Sequence, residues 1–368
     1  MHYVSSTRIK VWRTLAIGIF LGMVVATLYP FQLAPANNVQ GSASGWIYFG
    51  RGGIAFTSDP LTLTSPDGTG CAVELFVRAR RSDSEGTILG VYSPGNPKQF
   101  VVRQWHDGLL VNHDRVGPGG FNRQKFDLGR AFPMGQPSLV TISSGPKGTV
   151  VYLNGQEAHT FPHFFIPRQE LSGRFVFGNS ATDFSPWIGE LRGIALYAKE
   201  LTPAEASQHY DEWTSPGSTP DLNGAVARYD FSKFHDSEIP NEVSGAPNLE
   251  VPKIFSVPDK VMLKSPVQEY RDDGAFGRDF LVNVIGFIPL GFLLCGYWTL
   301  TGNPRFAFVS AVLSCALFSL LIEVVQAFIP MRGSGWTDVI SNTLGGLVGA
   351  VLAHAWLRFF ALWRRELS

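Results

Sequence analysis

The chain has 368 residues, 45% of them hydrophobic and 13% aromatic, and its 30 basic side chains balance 30 acidic ones. Such a length exceeds one ordinary domain, and neutrality leaves no basic stripe for a phosphate backbone, so no nucleic-acid partner is expected. The three cysteines, Cys71, Cys295 and Cys315, have no CxxC spacing, which excludes a thioredoxin-type or zinc motif and a disulfide framework. No D-x-D-x-D-G calcium loop occurs, and neither a metal nor a cofactor is expected.

The first element is the apolar run TLAIGIFLGMVVATLYPF, preceded by Arg8, Lys10 and Arg13. It approaches the length that a membrane span needs, about 20 residues. Small residues in the following LAPA also allow a cleaved signal peptide. Its basic side stays cytoplasmic in both cases.

Residues 45–213 then hold short runs rich in β-branched and aromatic residues, among them CAVELFVRAR, GTILGVYS, KQFVVRQW, TVVYLNG and GELRGIALY. Gly, Pro, Asn and Asp clusters separate them, which predicts an all-β antiparallel sandwich. Asn154-Gly155 is a hairpin turn pair. In LTPAEASQHYDEW, Thr202, Pro203 and Glu205 are the N-cap, first residue and capping-box partner of a helix. The order of CAVELFVRAR, TVVYLNGQEA and WIGELRGIALYAKELTPAEASQHY resembles the laminin-G-like, concanavalin-type jelly roll. Members of that family bind glycans, proteins or calcium, and many have no known ligand. Candidate ligand-binding residues on this sandwich are Trp105, Asp107 and Asn112 near one hairpin, with Asp183 and Trp187 before the last strand. They could stack on and hydrogen-bond a sugar, or serve as core and turn residues. AVARYDFSKF and NLEVPKIF add strands to the same sheet.

Three further apolar stretches follow, at about 280–300, 306–329 and 339–360. Counting Lys and Arg places the N-terminus, the Arg305 loop and the tail with Arg358, Arg364 and Arg365 in the cytoplasm, and the middle region outside. The expected protein is a multi-domain, multi-pass plasma-membrane protein: an all-α four-helix transmembrane unit plus an extracytoplasmic jelly-roll sandwich. Its parts are a cytoplasmic segment and first span at 1–35, the sandwich with its supplement at 40–257, a linker at 258–278, and three spans with a cytoplasmic tail at 279–368.

Topology brings three helix ends to the outer surface, and polar residues gather there. Asp279 and Asn283 share a face at i, i+4, as do Ser319, Glu323 and Gln326 at i, i+4, i+7. Asp338 and Asn342 share another, and Arg332 lies in the loop, placed to pair with Glu323 or Asp338. A charge at this depth costs about 3 kcal/mol and needs a partner or water. The set is either an outward-facing polar pocket or a clasp between helices.

RDFLVNVIGFIPLGFLL and SLLIEVVQAFIPMRGSGWTDVISNTLGGLVGA together resemble the VanZ-like family of membrane proteins. The shared residues are Asn283, Phe287, Pro289, Gly291, Glu323, Gln326, Phe328, Arg332, Asp338, Asn342 and Gly345. The LYPF ending of the first run matches as well, which favours its retention. The sandwich is then an insertion in the first outer loop. The resemblance implies an envelope protein, linked through founding members to low-level glycopeptide resistance, with no established activity. The partners expected are the lipid bilayer and an envelope glycan, peptide or protein. One alternative is a membrane enzyme acting on a lipid-linked or cell-wall precursor, with Glu323 or Asp338 as acid/base and Arg332 holding phosphate or carboxylate. No histidine or lysine base lies near Ser319, Ser334, Thr337 or Ser341, which counts against a serine hydrolase. Another alternative is a purely structural assembly factor.

Overall fold

The computed structural model describes residues 6–63, 70–117, 120–215, 220–269, 275–302 and 304–366. The turn-rich stretch at 216–219 and the acidic part of the linker at 270–274 lie outside them. The chain divides into two compact units, Ala34–Lys260 and Met1–Leu33 with Val261–Ser368.

The first unit is an antiparallel sandwich. One sheet holds β1 (Val39–Gly41), β2 (Ile47–Phe49), β4 (Cys71–Ala79), β9 (Pro137–Gly145), β10 (Gly148–Leu153), β11 (Gln156–Phe161), β13 (Gly189–Tyr197) and β14 (Ala225–Asp230). Its order is β1-β2-β13-β4-β9-β10-β11, with β14 also on β13. The other holds β3 (Ala55–Phe56), β5 (Glu85–Ser93), β6 (Asn96–Trp105), β7 (Gly108–Gly117), β8 (Gly120–Leu128), β12 (Arg174–Phe177), β15 (Glu238–Ile239) and β16 (Leu249–Glu250). That order is β15-β16-β3-β12-β5-β6-β7-β8. The late strands therefore extend both sheets rather than starting a new domain.

Alternation puts Leu75, Val77, Phe100, Val102, Leu109, Val111, Phe175 and Phe177 between the sheets, where they form one continuous core. The β10–β11 turn has positive φ at both Asn154 and Gly155, as its Asn-Gly pair anticipates. Helix α2 (Pro203–Thr214) begins with the expected box: the Thr202 hydroxyl accepts from the Glu205 amide, and the Glu205 carboxylate accepts from the Thr202 amide. Burial would raise the Glu205 carboxyl, but its bonds to Lys199 and Thr202 pull it down to about 2. The helix covers the outer face of the first sheet. Trp46, Phe76, Leu139, Tyr197, Leu201 and Trp213 make a second apolar cluster beneath it, so β4 is buried on both faces.

The second unit contains α1 (Ser6–Leu28), the one-turn α3 (Pro266–Glu269), α4 (Ala275–Thr301), α5 (Pro304–Ala327) and α6 (Trp336–Glu366). Four of these are long and apolar enough to cross a membrane. Helices α4 and α6 meet through glycines. A Cβ at Gly291 would strike Gly346, one at Gly345 would lie 2.9 Å from the Phe287 Cβ, and one at Gly349 would lie 2.6 Å from the Phe292 amide nitrogen. Small residues permit this backbone approach where lipid supplies no hydrophobic drive. Gly286 faces open space instead. Helix α1 belongs to the bundle: Trp12 packs over Gly296 and stacks on Phe292 with ring centroids 5.6 Å apart.

Candidate functional site

The C-terminal end of α1, the start of α4, the end of α5 and the start of α6 lie at one end of the helical unit, and the polar residues meet there. The Asn283 amide of α4 donates to the Asp338 carboxylate of α6 at 2.7 Å. The Asn342 amide of α6 donates to the Ser319 hydroxyl of α5 at 2.9 Å. Buried Glu323 accepts from the Gly335 amide at 2.8 Å, and its carbonyl accepts from the Ser334 hydroxyl at 2.8 Å.

Two residues turn to α1. Gln326 donates to the Thr27 carbonyl at 2.8 Å, and the Arg332 guanidinium donates to the carbonyls of Ala26 and Tyr29. The reason is local. Pro30 has no N–H to satisfy the Ala26 carbonyl, so the end of α1 leaves acceptors that outside donors must fill. Arg332 therefore caps α1 and pairs with neither Glu323 nor Asp338, contrary to the sequence expectation. Asp279 is exposed and lies beside Arg278 at 4.0 Å.

The start of α6 is closed by groups of the chain itself. Its first amides, on Gly335, Trp336 and Thr337, donate to the Glu323 carboxylate, the Lys264 carbonyl and the Glu269 carboxylate, the last at 3.0 Å. A helix N-terminus is a ready anion site, and carboxylates of the protein occupy this one. The arrangement can lock helices together, but it offers no free amide pair to a phosphate. Glu269 escaped sequence reasoning because it lies in a polar linker with no periodic pattern.

On the sandwich, Trp105 and Asn112 share the outer face of the second sheet. Phe100, Val102 and Gln104 point into the core from β6, so Val101, Arg103 and Trp105 point out. On β7, Leu109 and Val111 point in and Leu110 and Asn112 out, opposite Asp127 and Lys125 of β8. Asn112 lies four residues along the ladder from the Trp105 level, about 13 Å at ~3.3 Å per residue. Asp107 is exposed in the β6–β7 turn. Asp183 is paired with Lys98 at 3.5 Å. Trp187 is fully buried, its indole N–H donating to Gln104 at 2.8 Å. It packs the core and has no face to give to a sugar, so the sequence assignment of this residue as a ligand contact is corrected by its burial.

A second buried constellation lies under α2. The Glu74 carboxylate, on β4, is 0% exposed and meets His209 Nδ1 at 3.0 Å, the Thr141 hydroxyl at 3.2 Å, the Tyr197 hydroxyl at 3.2 Å and the Trp213 indole at 3.4 Å. Burial alone would push the His209 imidazole down, but the bond to Glu74 and the charges of Glu74, Glu212 and Asp221 leave it raised.

Residues 225–358 match the family model of VanZ/LLP1, and residues 50–207 match that of the concanavalin A-like lectin/glucanases superfamily. Protein VanZ of Enterococcus faecium is 38% identical over 76 residues, 20% of this chain and 44% of that protein. The match thus spans less than half of that relative. Among solved structures, a Bacteroides ovatus ATCC 8483 protein described as carbohydrate-binding shares 14% identity, covering 55% of this chain and 58% of its own, with a TM-score of 0.36. The binding domain of botulinum neurotoxin serotype D shares 13% identity, covering 48% and 45%, with a TM-score of 0.34.

Proposed function

Because this membrane protein joins a VanZ-like helical unit to a concanavalin-type sandwich, we propose that it is a cell-envelope binding protein. The four spans anchor the sandwich outside the cytoplasmic membrane, and the sandwich takes an envelope glycan. The orientation rests on the basic residues Arg8, Lys10, Arg13, Arg305 and Arg358, all at the helix ends opposite the polar set. The observation that carries the division of labour is where the polar atoms of the helical unit go. Asn283, Glu323, Gln326, Arg332 and Asn342 each spend hydrogen bonds on another helix or on its connecting loop, which supports a clasp rather than a reaction centre. The reading as an enzyme on a lipid-linked precursor loses its phosphate-holding residue, since Arg332 caps α1.

The glycan surface is the outer face of β6–β8. The Trp105 indole shares this face with Arg103 and Asp127, and with Asn112 about 13 Å along the ladder at ~3.3 Å per residue, so the face offers a stacking plane together with donors and acceptors for ring hydroxyls. The test is binding of the full chain, in lipid nanodiscs, to a panel of glycan and cell-wall fragments. Trp105→Ala and Asn112→Ala each weaken the captured ligand at least tenfold, about 1.4 kcal/mol at the usual tenfold conversion, while Glu323→Gln leaves its affinity unchanged. Loss of binding in Glu323→Gln with the sandwich variants intact overturns the assignment.

A further inference from the structure

The segment between the sandwich and α4 does not read as a plain linker. Leu263 adopts a left-handed backbone with φ 52°, a conformation unfavourable for a residue with a Cβ. Surrounding bonds hold it there. The Leu263 amide donates to the Ser334 hydroxyl at 3.2 Å, and Lys264 forms a parallel bridge with Gly335. The Lys264 amide donates to the Ser334 carbonyl at 3.0 Å, and its carbonyl accepts from the Trp336 amide at 2.9 Å. Ser265 and Gln268 then cap the short α3 reciprocally, and Glu269 closes onto the Thr337 amide. Residues 263–269 are thus bolted across the start of α6.

That fastening fixes the depth of the segment at the end of the spans. The same end carries exposed Tyr29 and Trp336, the residue types that populate a membrane–water interface. The segment itself turns two apolar side chains outward: Val267 is 87% exposed and Met262 53%. Trp336, next to the residue that Lys264 bridges, heads a groove along α6 lined by Val339, Ile340, Thr343 and Leu347, with Val312 of α5 opposite. Met262 and Val267 therefore lie at the same end of the spans as Tyr29 and Trp336, held there by the bonds of Leu263 and Glu269 to the start of α6.

We infer that residues 261–269 form a membrane-interface foot, with Met262 and Val267 seated in the headgroup–acyl boundary of the bilayer. The foot holds the α5–α6 connection at a set depth, and it does so for either orientation of the spans. It is tested by placing an environment-sensitive thiol dye at Val267→Cys and, separately, at Met262→Cys in the full chain. The protein is reconstituted in phosphatidylethanolamine/phosphatidylglycerol nanodiscs with a minor share of lipid carrying a nitroxide near the headgroup end of its acyl chain. Cys71, Cys295 and Cys315 are buried, which keeps background labelling low. The expected result is strong quenching by the nitroxide lipid and weak quenching by aqueous iodide at both sites. Strong iodide quenching at both places the segment in water and overturns the inference. Protection from both quenchers overturns it as well, since protein would then cover the segment.

Discussion

Glu74→Ala is expected to destabilise the sandwich by about 3–5 kcal/mol, the range for removing one partner from a buried charged pair. The carboxylate has no access to water, and four donors converge on it from β9, β13 and α2. Deleting it leaves His209, Tyr197, Thr141 and Trp213 with buried donors and no acceptor, and α2 loses its polar attachment to the sheet. Glu74→Gln keeps the shape and one acceptor oxygen, and costs about 1–3 kcal/mol for the donors it cannot serve. Denaturant unfolding of the detergent-solubilised protein, followed by amide exchange in α2 and β4, reads both effects. A pH dependence accompanies them. The His209 imidazole is raised in the folded state, so its contribution is fully present below the unfolded value of about 6.5 and is lost as pH rises above it. Stability of the α2 attachment therefore falls from about pH 6.5 upward, and His209→Gln flattens the profile. A profile unchanged by that substitution would assign the dependence to other groups.

Gly349→Ala is the second large effect. The added methyl meets the Ile288 carbonyl oxygen and sits 2.6 Å from the Phe292 amide nitrogen. Both atoms belong to the backbone of α4, so neither can rotate aside as a side chain would. Overpacking of this kind costs about 1–3 kcal/mol, and the absence of a movable neighbour puts this case at the upper end. Gly286→Ala is the control, because a Cβ there meets nothing within 4 Å, and its methyl improves helix propensity slightly. Denaturation in mixed micelles should therefore shift sharply for Gly349→Ala and stay level for Gly286→Ala. Equal shifts would mean that the α4–α6 contact does not depend on glycine at position 349.

What sequence could and could not reveal follows from the range of each signal. The spans were legible because twenty apolar residues in a row have few other uses. The Thr202 capping box and the Asn154-Gly155 turn were legible because their partners lie within three residues. The faces of Glu323, Gln326, Asp338 and Asn342 followed from helical periodicity. Arg332 did not, since its target depends on where α1 ends and on Pro30 lacking an N–H, some 300 residues away in sequence. Trp187 lies in a turn-rich stretch that reads as surface, yet Gln104 on β6 draws its indole inward. Glu74 stands in an alternating strand, where a lone polar residue signals solvent. Only the packing of α2 makes that face a second interior.

The proposed anchoring of the sandwich outside the cytoplasmic membrane is tested by labelling Met134→Cys, an exposed position on the sandwich, with a membrane-impermeant thiol reagent on intact spheroplasts. The expected result is full labelling without permeabilisation, and no labelling of the parent chain, whose described cysteines are all buried. Labelling of Met134→Cys only after the membrane is opened would contradict it.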